Sequence, residues 1–155
     1  MKILIPLDGS KTGEAALPYV NAFLSELSPR VKVEFILIRV VSFRTHYVVA
    51  GEAATPMFYT EKEMEQIQQE ARDYLNTVGE GISKKVGVKI RVEVGSAAEE
   101  IIKAADEINV DLIAMSTHGR HGISRWAFGS VTDKILRGGH KPVLVVRAPK
   151  EDTQA

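Results

Sequence analysis

Five short apolar runs, separated by stretches of helical period, constrain this chain more than any other feature. Residues 2–7 (K-I-L-I-P-L), 33–41 (V-E-F-I-L-I-R-V-V), 88–94 (V-K-I-R-V-E-V), 110–116 (V-D-L-I-A-M-S) and 142–147 (P-V-L-V-V-R) have the length and composition of strands. A run that is apolar at successive positions, rather than at alternate ones, fits a strand covered on both faces. The third run differs, because Val88, Ile90, Val92 and Val94 alternate with Lys89, Arg91 and Glu93, which gives it one more polar face. Helical period fills the intervals. Ser10 can cap a helix running through Ala15, Ala16, Leu17, Val20, Phe23 and Leu24, with a kink expected at Pro18. Met64, Ile67, Ala71, Leu75 and Val78 recur at steps of three and four in a second helix that opens at Glu61 and reaches Ile82. Ser96 and Glu99 have capping-box spacing ahead of a third, whose buried stripe is Ile101, Ile102, Ala105 and Ile108, and Ser130–Arg137 forms a short fourth.

Strands that alternate with helices pair in parallel, since each return to the sheet needs a right-handed crossover. The order predicts an α/β chain with a single doubly wound, mostly parallel five-stranded sheet and helices on both faces. One domain over 1–149 and a frayed tail over 150–155 are expected. Residues 42–60 are the least patterned stretch and read as a mobile flap or an interaction loop.

Composition narrows the chemistry. A chain of 155 residues can bury a core without metal or disulfide support. It has no cysteine, which excludes disulfides, zinc-thiolate sites, iron–sulfur clusters and thiol nucleophiles together. Twenty Lys plus Arg balance 20 Asp plus Glu, leaving no overall excess with which to neutralise nucleic-acid phosphate or an anionic membrane. Pro6 and Asp8 end the first apolar run too early for a signal peptide, and the charge-free stretch between Glu14 and Glu26 contains Pro18 and Asn21, so no membrane span fits. A cytoplasmic protein is expected.

In open α/β sheets, ligands bind beyond the carboxyl ends of the strands where strand order reverses. That directs attention to Asp8-Gly9-Ser10 after the first run and to Ser116-Thr117-His118-Gly119 after the fourth. The segment 116–132 reads S-T-H-G-R-H-G-I-S-R-W-A-F-G-S-V-T. Its glycines allow close backbone approach, and Gly129-Ser130 leads into a helix whose first amides can hold phosphate. Ser130 and Asp133 also have S-x-x-D spacing, so Ser130 can equally cap its own helix. Six basic residues between Thr117 and Arg147 face only Asp133, which favours an anion, while an acidic excess across 52–80 restores neutrality. No Walker lysine, G-x-G-x-x-G fingerprint or G-x-S-x-G elbow is present. His118 and His121 on a glycine loop lack a third ligand of defined geometry, which speaks against a protein-built metal site.

The opening I-P-L-D-G-S, the segment G-S-A-A-E-E-I-I, the long glycine-bearing stretch and the closing K-P-V-L-V-V together resemble the universal stress protein family. The likeness spans nearly the whole chain. It implies a Rossmann-like fold of the adenine-nucleotide alpha-hydrolase type. In the family's ATP-binding branch the phosphate loop follows G-x-x-G, nine residues, then G-[ST]; here Gly119 is the second glycine, Gly129-Ser130 closes the pattern, and Ser116 stands where the first glycine is expected. By that resemblance Asp8 meets the ribose or adenine side, and Pro6, Val40 and Met115 line the adenine pocket. Ser116, Gly119, Gly129, Ser130, Val131 and Thr132 hold the phosphates. Asp8 read without the family is a turn-capping aspartate, and Val40 and Met115 are core residues. The resemblance further implies ATP as ligand, Mg²⁺ or Mn²⁺ carried on its phosphates, a nucleotide-dependent regulatory or stress-response role, and a homodimer through the last strand, whose apolar edge invites pairing. A slow ATPase, another nucleotide-dependent enzyme, and a nucleotide-free dimerising adaptor are the competing readings.

Overall fold

The computed structural model describes residues 1–26, 30–50, 53–82, 86–117 and 129–148. Strands β1 (Lys2–Pro6), β2 (Glu34–Val41), β5 (Gly87–Val94), β6 (Leu112–Thr117) and β7 (Val143–Arg147) form one sheet in the order β5-β2-β1-β6-β7. Every neighbouring pair in that sheet is parallel. Helices α1 (Lys11–Glu14) and α2 (Ala16–Ser25) follow β1, α3 (Glu61–Glu80) precedes β5, α4 (Ala97–Ile108) leads to β6, and α5 (Ser130–Gly138) leads to β7.

The doubly apolar strands explain the layering. Ile3, Leu4 and Ile5 are all fully buried although successive side chains leave a strand on opposite faces, so both faces must be covered. On one face Ile3, Ile5, Phe35, Leu37 and Ala114 pack with Val20 of α2 and Leu75 of α3. On the other, Leu4, Ile36, Ile38, Ile113 and Met115 pack against Ile101 and Ala105 of α4 and Ile135 of α5. The alternating third run forms β5, an edge strand, where Lys89 is exposed and ion-paired with Glu34 at 2.9 Å.

Four local features depart from the sequence reading. The first helix is interrupted at Ala15 rather than kinked at Pro18, which places Pro18 in the first turn of α2, where its missing N–H has no intrahelical acceptor to lose. Ser96 occupies the N-cap of α4 without a side-chain cap bond, and both it and Glu99 are exposed. The capping box lies at α3 instead, where Glu63 N donates to Thr60 Oγ1 at 3.3 Å and Thr60 N donates to Glu63 Oε2 at 2.8 Å. Lastly, the stretch 42–60 contains an antiparallel hairpin of β3 (Arg44–Ala50) and β4 (Ala53–Phe58), with Ala50 opposite Ala53 and Tyr47 opposite Pro56.

The capping box gives stability a defined pH dependence. The Thr60 backbone and hydroxyl donors lower the Glu63 pKa. A lowered carboxyl pKa contributes stability above the unfolded value, about 4.3, and that contribution is lost as pH falls through the folded value. Glu63→Gln is therefore expected to show a shallower fall in urea midpoint below about pH 5; an unchanged slope would show that the box contributes nothing measurable.

The same strand order positions the site. From β1 the chain moves outward to β2 and later returns to the other side of β1 as β6, so the crossovers diverge above the carboxyl ends of β1 and β6. A crevice forms at such a reversal.

Candidate functional site

A cavity of about 410 Å³ opens at that reversal. Its walls include Pro6, Ile38, Val40, Ala97, Ile101 and Met115, an apolar slot between the ends of β1, β2 and β6 and the start of α4. Its polar side is formed by Asp8, Thr12, Gly13, Ser116 and Thr117, and by the first turn of α5 from Gly129 to Thr132.

Of the residues singled out above, Pro6, Asp8, Val40, Met115 and Ser116 line this one cavity, as do Gly129, Ser130, Val131 and Thr132. Gly119 lies outside the described residues, as do His118 and His121. Met115 also belongs to the core, being 5% exposed and packed in the cluster that Val40 flanks. Packing and lining are therefore the same act for these two side chains. Leu7, Thr12, Gly13, Ile38, Ala97 and Ile101 were not anticipated. Ile38 had a readable signal, since it stands two residues before Val40 and shares its face.

The turn after β1 is built around Asp8. Gly9 has φ +88, a left-handed conformation that favours glycine, and a Cβ there would meet the Arg39 guanidinium at 3.2–3.3 Å. Asp8 Oδ1 accepts from Ser10 N at 2.9 Å and from Ser10 Oγ at 2.6 Å, while Ser10 Oγ accepts from Gly13 N at 2.9 Å. A Cβ at Gly13 would lie 2.4 Å from Asp8 Oδ1, so the carboxylate keeps its place only because residue 13 is glycine. Asp8 is thus a turn aspartate and a cavity residue at once. Behind the turn, Tyr74 Oη donates to Glu14 Oε1 at 2.8 Å, and the Arg39 guanidinium stacks 5.2 Å from the Tyr74 ring centre. Burial, then the bond to Glu14, raises the Tyr74 pKa, so the phenol keeps its proton and α3 stays tied to α1.

The start of α5 differs from the capped-helix reading. Gly129 is the N-cap, Ser130 is the first helical residue, and the helix has no side-chain cap bond. Asp133 takes Arg137 Nε on both oxygens, at 3.0 and 2.9 Å. With Gly129 as N-cap, Ser130 and Asp133 do not hold the N-cap and N3 positions of an S-x-x-D box, and Asp133 pairs with Arg137. The first intrahelical bond runs from Asp133 N to Gly129 O at 2.9 Å, leaving the amides of Ser130, Val131 and Thr132 without intrahelical acceptors at the cavity wall. That end also carries the equivalent of roughly half a positive charge. The fold does not demand glycine at 129: its φ of −60 and ψ of 154 suit any residue, and a Cβ would be 3.6 Å from Thr117 Oγ1, an ordinary contact. The missing side chain leaves space beside Thr117 at the cavity wall.

None of the described basic residues between Thr117 and Arg147 lines the cavity; Arg137 pairs with Asp133 and Lys141 donates to Asn109 Oδ1. Asp8 is the one titratable side chain among the described residues of the cavity. No group of three or more His, Asp or Glu side chains among the described residues could hold a metal ion. The arrangement offers an apolar slot, one oriented carboxylate and an uncapped helix start, which suits a ligand with a flat ring, hydroxyl donors and an anionic tail.

A model of the universal stress protein family matches residues 1–147. Universal stress protein MJ0577 of Methanocaldococcus jannaschii is 32% identical, with 94% of each chain covered. Universal stress protein MJ0531 of the same organism is also 32% identical, over 97% of this chain and 84% of its own. Among solved structures, that of MJ0577 superimposes with a TM-score of 0.70 at 28% identity, covering 97% of both chains. A family member from Arabidopsis thaliana, solved with AMP bound, has a TM-score of 0.63 at 10% identity, covering 100% of this chain and 96% of that one, and so shares the fold.

Proposed function

From the premise that this chain belongs to the universal stress protein family, we propose that it binds ATP between β1 and β6 and acts as a nucleotide-dependent regulatory module. The observation that carries the reading is the meeting, in one cavity, of an apolar slot and an α5 N-terminus with no side-chain cap. Pro6, Val40 and Met115, with Ile38 and Ile101, would enclose the adenine; Asp8 would accept from a ribose hydroxyl. The amides at 130–132, with the backbone of Ser116, Gly119 and Gly129, would take the phosphates. Family structures have been solved in complex with cAMP and with AMP, proteins of the same fold whose ligands are adenine nucleotides. Mg²⁺ or Mn²⁺ would ride on the phosphate oxygens, the usual arrangement where the protein supplies few ligands.

Regulation is favoured over rapid turnover because Asp8 alone among the described cavity residues can exchange a proton, and its Oδ1 already accepts two hydrogen bonds. Slow hydrolysis is the second reading. The test is to isolate the protein without added nucleotide, denature it and chromatograph the supernatant: bound adenine nucleotide is expected, and none would favour the adaptor reading.

The domain would span 1–149 and work in the cytoplasm; no helix among the described residues is long and apolar enough to cross a membrane. A homodimer through β7 fits its place at the sheet edge, where Val143, Leu144 and Val145 are only half-buried. Replacing Val143 and Val145 with Thr and Lys should give a monomer by light scattering; a retained dimer would place the interface elsewhere.

A further inference from the structure

The residue that breaks the family's glycine pattern makes bonds that glycine cannot. Ser116 lies near the end of β6, opposite Val146, and its backbone φ is not positive, so the position does not require glycine. Its hydroxyl donates to Thr12 O and, at 3.0 Å, to Gly13 O, reaching residues more than a hundred positions earlier in the chain. Gly13 then passes the link onward: its N–H donates to Ser10 Oγ at 2.9 Å, and the Ser10 hydroxyl donates to Asp8 Oδ1 at 2.6 Å. One hydrogen-bonded path therefore runs from β6 through Gly13 of α1 and Ser10 to the Asp8 carboxylate at the polar wall of the cavity.

We propose that Ser116 is a positioning residue: it clamps α1 to β6 and, through Gly13 and Ser10, fixes the Asp8 carboxylate to receive a ribose hydroxyl. This rests on the nucleotide reading above. A hydroxyl in that place does what glycine could not, since glycine has no side chain with which to tie the two walls together. A merely structural hydroxyl would lower stability and weaken all ligands alike, whereas a positioning hydroxyl acts on the ligand group that Asp8 meets.

The test compares wild type, Ser116→Ala and Ser116→Thr in binding ATP, 2′-deoxy-ATP and 3′-deoxy-ATP, together with backbone amide hydrogen exchange in the free protein. Ser116→Ala is expected to weaken ATP about five- to tenfold, the size of one lost hydrogen bond. It should weaken the deoxy analogue that lacks the Asp8-facing hydroxyl less than about twofold, because the two losses share one interaction. Ser116→Thr, which keeps the hydroxyl, should restore the discrimination. In the free protein, exchange at the Gly13 amide should accelerate in Ser116→Ala and recover in Ser116→Thr, while the amide of Leu37, in the sheet, stays unchanged. Equal losses for ATP and both deoxy analogues, or unaltered exchange at Gly13, would overturn the proposal. If wild type binds no adenine nucleotide, the ribose half falls with the reading it rests on, and exchange at Gly13 alone decides the clamp.

Discussion

Gly129→Asp is expected to leave the protein folded, with an unfolding midpoint equal to or above wild type, and to weaken ATP binding at least a hundredfold. The two effects separate because residue 129 serves the fold and the ligand differently. As the N-cap of α5 it has an extended backbone and room for a Cβ, and aspartate is a favoured N-cap that gives the first turn the side-chain acceptor it lacks. The same carboxylate would stand where the phosphates approach. Two unit charges about 4 Å apart repel by roughly 4 kcal/mol at an effective dielectric of 20, and solvent screening still leaves a loss of about a hundredfold. Calorimetry and thermal unfolding on one preparation check both halves. A variant that binds ATP like wild type would remove the phosphates from this helix; one that loses affinity by unfolding would show that glycine serves the fold.

Phe35→Ala should produce a large loss of stability and little change in ligand affinity. Phe35 is fully buried on β2, beside Ile3 of β1 and Val88 of β5, on the sheet face packed by Leu75 of α3. Truncating a buried phenylalanine typically costs about 3–5 kcal/mol, which for a chain of this size lowers the unfolding midpoint by about 10 °C. The cavity lies across the sheet, lined by Ile38 and Val40, so affinity in the folded fraction should change less than about threefold. A small stability loss would mean that the site collapses on truncation; a large affinity loss would mean that the two faces are not independent.

The contrast between those faces also shows how far the sequence could be read. Runs such as I-L-I and F-I-L-I are apolar at consecutive positions, a pattern that needs cover on both sides, and the alternating V-K-I-R-V-E-V showed a more polar face, which the fold places at the sheet edge. The reversal rule then directed attention to Asp8 and Ser116, and the glycine ahead of the last helix to Gly129, without any coordinates. Where spacing admitted two solutions, the reading fell short. Ser130 and Asp133 have the offset of a cap, but the helix starts one residue earlier, with Gly129 as its N-cap. The hairpin at 44–58 was missed because Pro56 and the small residues 53 and 54 weaken the strand pattern, although Gly51-Glu52 between Ala50 and Ala53 is a two-residue turn signal. Gly13 could not have been found, because its need for a missing side chain comes from Asp8, five residues earlier, across a turn that has to form first.

No Lys or Arg among the described residues lines the cavity, which leaves backbone amides as the main anion donors there. On the nucleotide reading, such a site would distinguish ligands by ring shape and ribose as much as by charge. Titration calorimetry of nucleotide-stripped protein with ATP and, separately, GTP tests that claim most directly. Saturable ATP binding well below millimolar concentration, with GTP at least about tenfold weaker for want of a fit to the apolar slot, is the predicted result. No saturable ATP binding below millimolar, with Gly129→Asp indistinguishable from wild type, would contradict it.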